Sequence, residues 1–392
     1  MHYKYPLAGE TISKNDIDSL RDWLSDYPRL TMGELTNDFQ LKWAEYIGTK
    51  RSIFVNSGSS ANLLMVYLGI VLGRLKQGDK VIVPSCGWAT TISPIIQLGL
   101  TPIMVDANRY NFGVNIDEVE SVCKKENIKG MIFVHPLGVP CDKIELSYLK
   151  DKYDIFLMED CCASVGARFS DGTKIGTIGD VSSFSFYFGH QLSTIEGGFV
   201  NTNNEDYYQK MLMLRSHGWV KDISDIHTKT ISDKWNIDKN NGPFNFIYSG
   251  FNIRSTDLQA FLGIQQLKKV DRIMNSRNRN HLNYIKFMKN DFTFQDYKES
   301  WPVSLHIGIL AKDRKTRKRV IKECNKNSIE TRVWSHGNLG KHPFWIDRYG
   351  IFNGEWSNQI YDRGFILPTF PELLDQDIEF IANICNNVLA DS

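Results

Sequence analysis

The chain has 392 residues, of which 42% are hydrophobic and 23% are charged, a composition typical of a soluble enzyme. Its formal net charge of +1 argues against a basic nucleic-acid-binding surface, so we expect no nucleic-acid partner. No apolar run is long enough for a membrane span and no apolar signal core follows the first residues, which predicts a cytoplasmic protein without membrane attachment. The seven cysteines lack metal-ligand spacing, so we expect no metal site.

Short apolar segments alternate with helical patterns between residues 50 and 200. Because the apolar segments are continuous, we expect strands that are covered on both faces by helices. The fold class is therefore predicted as α/β, with a mostly parallel sheet flanked by helices. The predicted strands are Lys80–Pro84, Pro102–Asp106, Gly130–Val134 and Asp154–Met158, and the predicted helices are Ala61–Leu75, Thr90–Leu98 and Asn115–Lys125.

The second half of the chain predicts a smaller region of mixed structure. Residues 220–247 are polar and are interpreted as a long irregular excursion. We assign residues 1–250 to a large α/β domain with an N-terminal arm, and residues 251–392 to interdomain helices and a smaller α+β domain. Its predicted elements are helices at Asp257–Met274, Asn278–Lys289 and Lys315–Asn327, an apolar segment at Val303–Leu310, and a strand at Ile329–Val333.

A turn of small residues, 56–62, follows an apolar strand and begins an amphipathic helix. Backbone N–H groups at a helix N-terminus, with hydroxyls beside them, suit a phosphate. Gly58 and Ser59 are the candidates for this contact. By residue type alone, an ordinary serine helix cap explains the segment equally well.

Two further segments carry groups suited to acid–base or cofactor chemistry. Asp160 follows a predicted strand, where a carboxylate can pair with a protonated ring nitrogen or simply cap a helix. An aromatic-rich strand that contains Ser185 leads into a turn at His190. An imidazole there can act as a general base near neutral pH, although a lone histidine is more often a structural, hydrogen-bonded group.

The order of these motifs, together with Trp88 and the segment Gly250-Phe251-Asn252-Ile253-Arg254, resembles the DegT-type nucleotide-sugar aminotransferase family. The resemblance covers nearly the whole chain and implies the aspartate aminotransferase fold, with a seven-stranded type of sheet. It also implies a pyridoxal 5'-phosphate or pyridoxamine 5'-phosphate cofactor. Most family members carry a lysine at the position of His190, and histidine there is similar to the 3-dehydratase branch.

The resemblance assigns a role to each cofactor-site candidate. Gly58, Ser59 and Ser185 would bind the phosphate, Trp88 would stack on the ring, and Asp160 would pair with the ring nitrogen. Asn252 would reach the phosphate from a partner subunit, which implies a homodimer with a shared active site. The substrate-site candidates, which rest on residue type and on neighbouring motifs, are Met32, His217, Arg254 and His336.

One residue departs from the family pattern. Family aminotransferases have glutamine three residues after the aspartate, and the related dehydratases have an acid there, whereas this chain has Ala163. A hydrogen bond to the cofactor or to the base is therefore missing or is supplied by another group.

The substitution of lysine by histidine implies a changed reaction. Histidine cannot form lysine's stable covalent link, so the cofactor would bind non-covalently as the pyridoxamine form and condense with the C4 ketone of a nucleotide-linked 4-keto-6-deoxy sugar. His190 would remove a proton, the C3 hydroxyl would leave, and a glutamate-type donor would restore the amine, in deoxysugar biosynthesis for lipopolysaccharide. Two alternatives remain open: a nucleotide-sugar aminotransferase that uses a displaced lysine, and a non-catalytic binder of the cofactor or of a nucleotide sugar.

Overall fold

The computed structural model describes residues 3–238, 244–334 and 337–390. Within these residues the helices are α1 (Lys14–Ser25), α2 (Glu34–Ile47), α3 (Gly58–Val71), α4 (Ala89–Gln97), α5 (Ile116–Lys125), α6 (Lys143–Tyr153), α7 (Glu205–Arg215), α8 (Asp225–Trp235), α9 (Asp257–Leu267), α10 (Val270–Phe287), α11 (Arg314–Lys326), α12 (Pro343–Tyr349), α13 (Glu355–Arg363) and α14 (Asp375–Ala390). The strands are β1 (Arg51–Val55), β2 (Lys80–Pro84), β3 (Thr101–Val105), β4 (Ile128–Val134), β5 (Phe156–Asp160), β6 (Val181–Ser185), β7 (Gly198–Thr202), β8 (Thr293–Phe294), β9 (His306–Leu310), β10 (Arg332–Val333) and β11 (Gly364–Pro368).

The larger sheet has seven strands in the order β1-β7-β6-β5-β4-β2-β3. Strands β2 to β6 pair in parallel, while β7 runs antiparallel to both β1 and β6. Helices α3, α4 and α7 cover one face, and α2, α5, α6, α9 and α10 contribute to the cores on the other side. The predicted mostly parallel sheet flanked by helices is therefore confirmed.

The parallel strands place several polar groups at one edge of this sheet. Strand β5 ends at Asp160 and strand β6 ends at Ser185, and the two strands are direct neighbours. Because the carboxyl ends of parallel strands lie together, the loops that follow β5 and β6 lie next to the loop before α3. This edge positions the candidate site.

The smaller sheet has four antiparallel strands in the order β10-β11-β9-β8. Helices α11 and α14 cover it through a core that includes Val320, Cys324 and Ile381. The expected mixed structure is thus present in the C-terminal part of the chain. Tyr5 packs into the same core, and its backbone bonds to Ser328 and Glu330, so the N-terminal arm lies against this sheet.

Three sequence-based predictions of local structure were wrong. The polar stretch 220–247 contains helix α8, which has no buried residue and therefore no apolar periodicity to reveal it. The single helix predicted at Asp257–Met274 is two helices, α9 and α10, because the chain turns at Lys268 and Lys269. The strand predicted at Ile329–Val333 is limited to β10, since Ile329 pairs with Tyr5 instead.

Across the part of the chain that the structure describes, no helix combines the length and the apolar character needed to cross a membrane.

Candidate active site

Asp160 lies at the carboxyl end of β5 with its carboxylate buried. Its Oδ2 accepts hydrogen bonds from Asn62 Nδ2 at 2.8 Å and from Thr91 Oγ1 at 2.7 Å. Its Oδ1 accepts one from the backbone N–H of Cys162 at 3.1 Å. Three donors from three separate segments therefore fix a buried negative charge at the edge of the sheet.

The serine-rich turn lies beside this carboxylate and begins α3. Ser57 caps the helix, because its Oγ accepts a hydrogen bond from the Ser60 N–H at 3.1 Å. The ordinary capping interpretation is thus correct for Ser57. It leaves the N–H groups of Gly58 and Ser59 in the first helical turn, where no intrahelical acceptor exists. An anion at this end of α3 would meet both groups.

The packing around Gly58 explains why this position lacks a side chain. A Cβ atom there would lie 2.6 Å from Ser185 Cβ and 2.9 Å from Cys162 Sγ. Ser185, a candidate for the phosphate site, therefore lies directly against the turn. Ser59 adds a contact to α4, since its Oγ lies 3.1 Å from Thr90 Oγ1.

We expect Gly58→Ala to weaken cofactor binding at least about tenfold, because the added methyl group pushes Ser185 away from the turn. A misplacement of about 1 Å in an active site can lower activity by up to about 10²-fold. Titration of the purified variant with pyridoxal phosphate measures the change. Gly69→Ala is the matched control in the same helix, since its Cβ would meet Leu75 Cδ1 at 2.7 Å in the core. The control should lose stability and keep its cofactor affinity; equal affinities of the two variants would contradict the placement of the phosphate.

Trp88 stands at the N-terminus of α4 with 54% of its side chain exposed. Its carbonyl accepts the Thr91 N–H at 3.0 Å, and the Thr91 hydroxyl binds Asp160. The indole is thus attached to the segment that holds the carboxylate. An exposed indole at this position fits the predicted stacking partner of an aromatic ring.

His190 lies in the turn after β6 and is partly buried. Its Nδ1 is 2.6 Å from the carbonyl oxygen of Cys162. Because a carbonyl oxygen only accepts, Nδ1 carries the proton and Nε2 carries the lone pair. Burial lowers the pKa of His190 from its ordinary 6.5 to about 4, against the opposing effects of the Cys162 carbonyl and Asp160. The ring is therefore neutral at pH 7 and able to accept a proton.

We expect the imidazole of His190 to titrate well below 6.5, near pH 4. The unfolded chain then binds this proton more readily than the folded chain, so the associated stability is complete above pH 6.5 and is lost as the pH falls toward 4. NMR titration of histidine-labelled protein measures the midpoint, and His190→Asn identifies the signal. A midpoint at or above 6.5 would contradict this assignment.

Two of the substrate-site candidates contact each other beside Asn252. His217 Nε2 lies 3.4 Å from Arg254 Nη2, and Arg254 Nε donates to Asn252 Oδ1 at 3.1 Å. The Arg254 guanidinium also lies 5.8 Å from the ring centre of Trp219. This cation with two polar neighbours suits an anionic group such as a diphosphate. A backbone bond from Asn56 to the Ile253 carbonyl, 3.0 Å, ties the segment to the turn before α3.

The remaining substrate-site candidates, Met32 and His336, belong to other segments of the chain. Met32 is partly buried in the segment before α2, where the Asp257 carboxylate accepts the N–H groups of Gly33 and Thr36. His336 lies outside the described residues. Ala163 is buried, and its carbonyl accepts the side-chain amide of Gln191 at 2.7 Å.

Buried His135, Glu159 and Cys161 bring their donor atoms within 4.8 Å of one another. His135 Nδ1 accepts the Cys141 N–H at 2.9 Å, which places the proton on Nε2, facing Glu159 Oε2 at 3.4 Å. The same carboxylate accepts three backbone N–H groups, those of Gly176, Ile178 and Gly179. Glu159 thus anchors the loop that enters β6, and these bonds give the cluster a structural role.

Sequence reasoning missed the groups that hold the candidates in place. Asn62, Thr91 and Gln191 each bond to Asp160 or to its neighbouring loop from a different element. A buried asparagine in the otherwise apolar helix α3 is the one signal that could have been found, because such a residue needs a polar partner. The partners themselves are distant in sequence.

These residues fit a pyridoxal-type cofactor. The turn at Gly58 packs against Ser185 and Cys162 too closely to admit a side chain, and its two helical N–H groups are suited to a phosphate. Asp160 supplies a buried carboxylate for a ring nitrogen, and Trp88 supplies an aromatic face. Asn62, one helical turn after Gly58 in α3, connects the turn and the carboxylate by its hydrogen bond to Asp160.

Comparisons with known proteins identify the family of the chain. Residues 10–386 match the model of the DegT/DnrJ/EryC1/StrS aminotransferase family. A GDP-4-keto-6-deoxy-D-mannose 3-dehydratase from Yersinia pseudotuberculosis is 31% identical over 373 residues, which cover 89% of this chain and 93% of that protein.

Solved structures give the same result. The GDP-4-keto-6-deoxy-D-mannose 3-dehydratase of E. coli with bound hydrated PLP superposes with a TM-score of 0.89 at 26% identity, over 98% of this chain and 100% of that one. A GDP-4-keto-6-deoxymannose 3-dehydratase with a trapped PLP–glutamate geminal diamine superposes with a TM-score of 0.86 at 27% identity, over 97% and 100%. By sequence and by structure, the chain belongs to the DegT/DnrJ/EryC1/StrS aminotransferase family.

Proposed function

We propose that this enzyme removes the C3 hydroxyl group from a nucleotide-linked 4-keto-6-deoxy sugar, with a pyridoxal 5'-phosphate or pyridoxamine 5'-phosphate cofactor and glutamate as amine donor. The observation that carries the proposal is a neutral imidazole, His190, whose Nδ1 proton binds the Cys162 carbonyl, at the position where the resemblance implies a lysine in most family members. The relatives named as 3-dehydratases support it.

The side chains divide the work of such a reaction. Gly58, Ser59 and Ser185 would hold the cofactor phosphate, Trp88 would stack on the ring, and Asp160 would keep the ring nitrogen protonated. When bound, the cofactor supplies an amine for the C4 ketone and a ring that accepts electrons. His190 would take a proton on Nε2 and hold it for return, or for departure with the C3 hydroxyl. Because Asp160 lies near His190, its negative charge favours the protonated imidazole formed on the way.

The substrate would enter with its diphosphate toward Arg254 and His217. Arg254 offers a permanently charged, planar donor, and His217 lies within 3.4 Å of it. Met32 and His336 remain candidates for further substrate contacts. Since the similar dehydratases are named for a GDP-linked sugar, GDP-4-keto-6-deoxymannose is the first substrate to test.

We further propose a cytoplasmic homodimer. The side chain of Asn252 is exposed in a single chain, as it must be to reach a second copy. Residues 1–250 would form the cofactor domain and residues 251–392 the interdomain helices and the small domain. Sedimentation of the purified wild-type protein and of Asn252→Ala measures the oligomeric state of each. The absorbance of bound cofactor, measured separately, shows whether the variant has lost its cofactor.

The reaction is tested by incubating the purified protein with pyridoxal phosphate, glutamate and a panel of 4-keto-6-deoxy sugars linked to GDP, CDP, dTDP or UDP. The expected result is a product lighter by one oxygen atom than its substrate, because hydrogen replaces the C3 hydroxyl group, with release of ammonia and of the keto acid formed from glutamate. An amino sugar without ammonia release would establish the aminotransferase alternative instead. Tight binding without any product would establish the non-catalytic alternative.

A further inference from the structure

Gln191, directly after His190, is fully buried. Its Nε2 donates to the carbonyl oxygens of Ala163 at 2.7 Å and Val303 at 3.2 Å. Its Oε1 is buried and accepts no hydrogen bond from the described residues. Burying an amide with its carbonyl oxygen unpaired costs stability. We therefore ask what the two hydrogen bonds of the Gln191 nitrogen contribute.

Two consecutive side chains bind two consecutive carbonyl groups. The His190 ring bonds to the carbonyl of Cys162, and the Gln191 amide bonds to the carbonyl of Ala163. The carbonyl groups of Cys162 and Ala163 are therefore each held by a side chain of the same turn. A third hydrogen bond holds the same segment, because the Cys162 N–H donates to Asp160 at 3.1 Å.

The second acceptor of Gln191 is itself fixed. Val303 donates its N–H to the Gly138 carbonyl at 2.9 Å, and Leu305 donates to the Leu137 carbonyl at 3.1 Å. The Val303 carbonyl is thus a rigid point, and Gln191 connects the Cys162–Ala163 loop to it. Gln191 thus adds a fixed anchor next to the Cys162 carbonyl that binds the imidazole.

We propose that Gln191 is a positioning residue for the proton transfer, and that it acts through the orientation of the Cys162 carbonyl. That carbonyl keeps the proton of His190 on Nδ1 and directs the Nε2 lone pair into the cleft. Ala163 has only a methyl side chain, so this segment is bound to Gln191 through the Ala163 carbonyl. The proposal rests on the proposed function, in which His190 is the base.

The test is Gln191→Met, which keeps the length of the side chain and removes its donors. In pyridoxamine phosphate-loaded protein with ¹⁵N-labelled histidine, we expect the His190 signals to change from a single Nδ1–H form to a mixture of both tautomers. We expect kcat for ammonia release to fall about 10- to 100-fold, with KM for the nucleotide sugar within about twofold of wild type. The NMR measurement requires no turnover, so a wild-type protein without dehydratase activity would refute the proposed reaction and leave this readout intact.

Gln295→Met is the matched control. Gln295 is also buried, and its Nε2 also donates to two carbonyl oxygens, those of Asn111 at 2.8 Å and Pro136 at 3.0 Å. We expect it to lower the melting temperature while leaving the His190 tautomer and kcat unchanged. Should Gln191→Met fail to fold, Gln191→Asn, which is shorter by one methylene group, should give the same mixture. An unchanged Nδ1–H signal in the folded variant, or equal losses of kcat in the two glutamine variants, would overturn the proposal.

Discussion

His190→Lys is expected to lower kcat for ammonia release by about 10²- to 10⁴-fold, the contribution of a positioned general base. The reason is chemical, since a lysine amine bonds covalently to the cofactor aldehyde and no longer serves as a free base. The amino sugar should appear as the new product with glutamate present. Product mass and ammonia assays measure both changes in a single incubation.

The control for this substitution is His190→Asn, which also removes the base and brings no amine. It should lose ammonia release to a similar extent, yet form neither the amino sugar nor a bond to the cofactor that borohydride makes permanent. Ammonia release by the lysine variant within about tenfold of wild type would show that His190 is not the base.

Asp160→Asn is expected to lower kcat by about 10²- to 10³-fold, as for the loss of one preorganised electrostatic partner. A neutral amide cannot keep a ring nitrogen protonated, so the cofactor becomes a weaker electron acceptor. The amide NH₂ would also face one of the three donors that now bind the carboxylate, which should cost about 1–3 kcal/mol of stability. Steady-state kinetics and thermal unfolding measure the two effects separately.

Asp106→Asn provides the matched control, because Asp106 also follows a strand of the parallel sheet and is buried. Its carboxylate accepts the N–H groups of Trp356 and Ser357, both at 2.9 Å, at the start of α13. This variant should lose a similar amount of stability and retain kcat. If both variants lost activity in proportion to their stability, the specific role of Asp160 would be refuted.

The sequence was informative where the signal is local. Continuous apolar strands alternating with helices predicted the parallel sheet, and the structure confirmed it through the pairing of β2 to β6. Helix α8 escaped prediction because none of its residues is fully buried, and the break between α9 and α10 escaped because apolar residues stand on both sides of Lys268 and Lys269. Periodicity reports burial, so it cannot report an exposed helix or a turn within a buried stretch.

For the candidate site, too, local signals could be found in the sequence and distant contacts could not. Its chemical groups could be named in advance, since a glycine–serine turn, an aspartate after a strand and a histidine after an aromatic strand each have a local motif. The support around them could not be named. Asn62, Thr91 and Gln191 contact Asp160 or its loop across separations of 98, 69 and 28 residues.

The sequence by itself determined the fold class, and it predicted a site at the edge of the sheet with an imidazole where the resemblance implies a lysine in most family members. Only the tertiary structure decided the state of that imidazole. The Cys162 carbonyl fixes its proton on Nδ1, and burial lowers its pKa to about 4. Both effects arise from groups that are brought together by the folded sheet and its loops, because hydrogen bonding and desolvation depend on distance in space rather than on order along the chain.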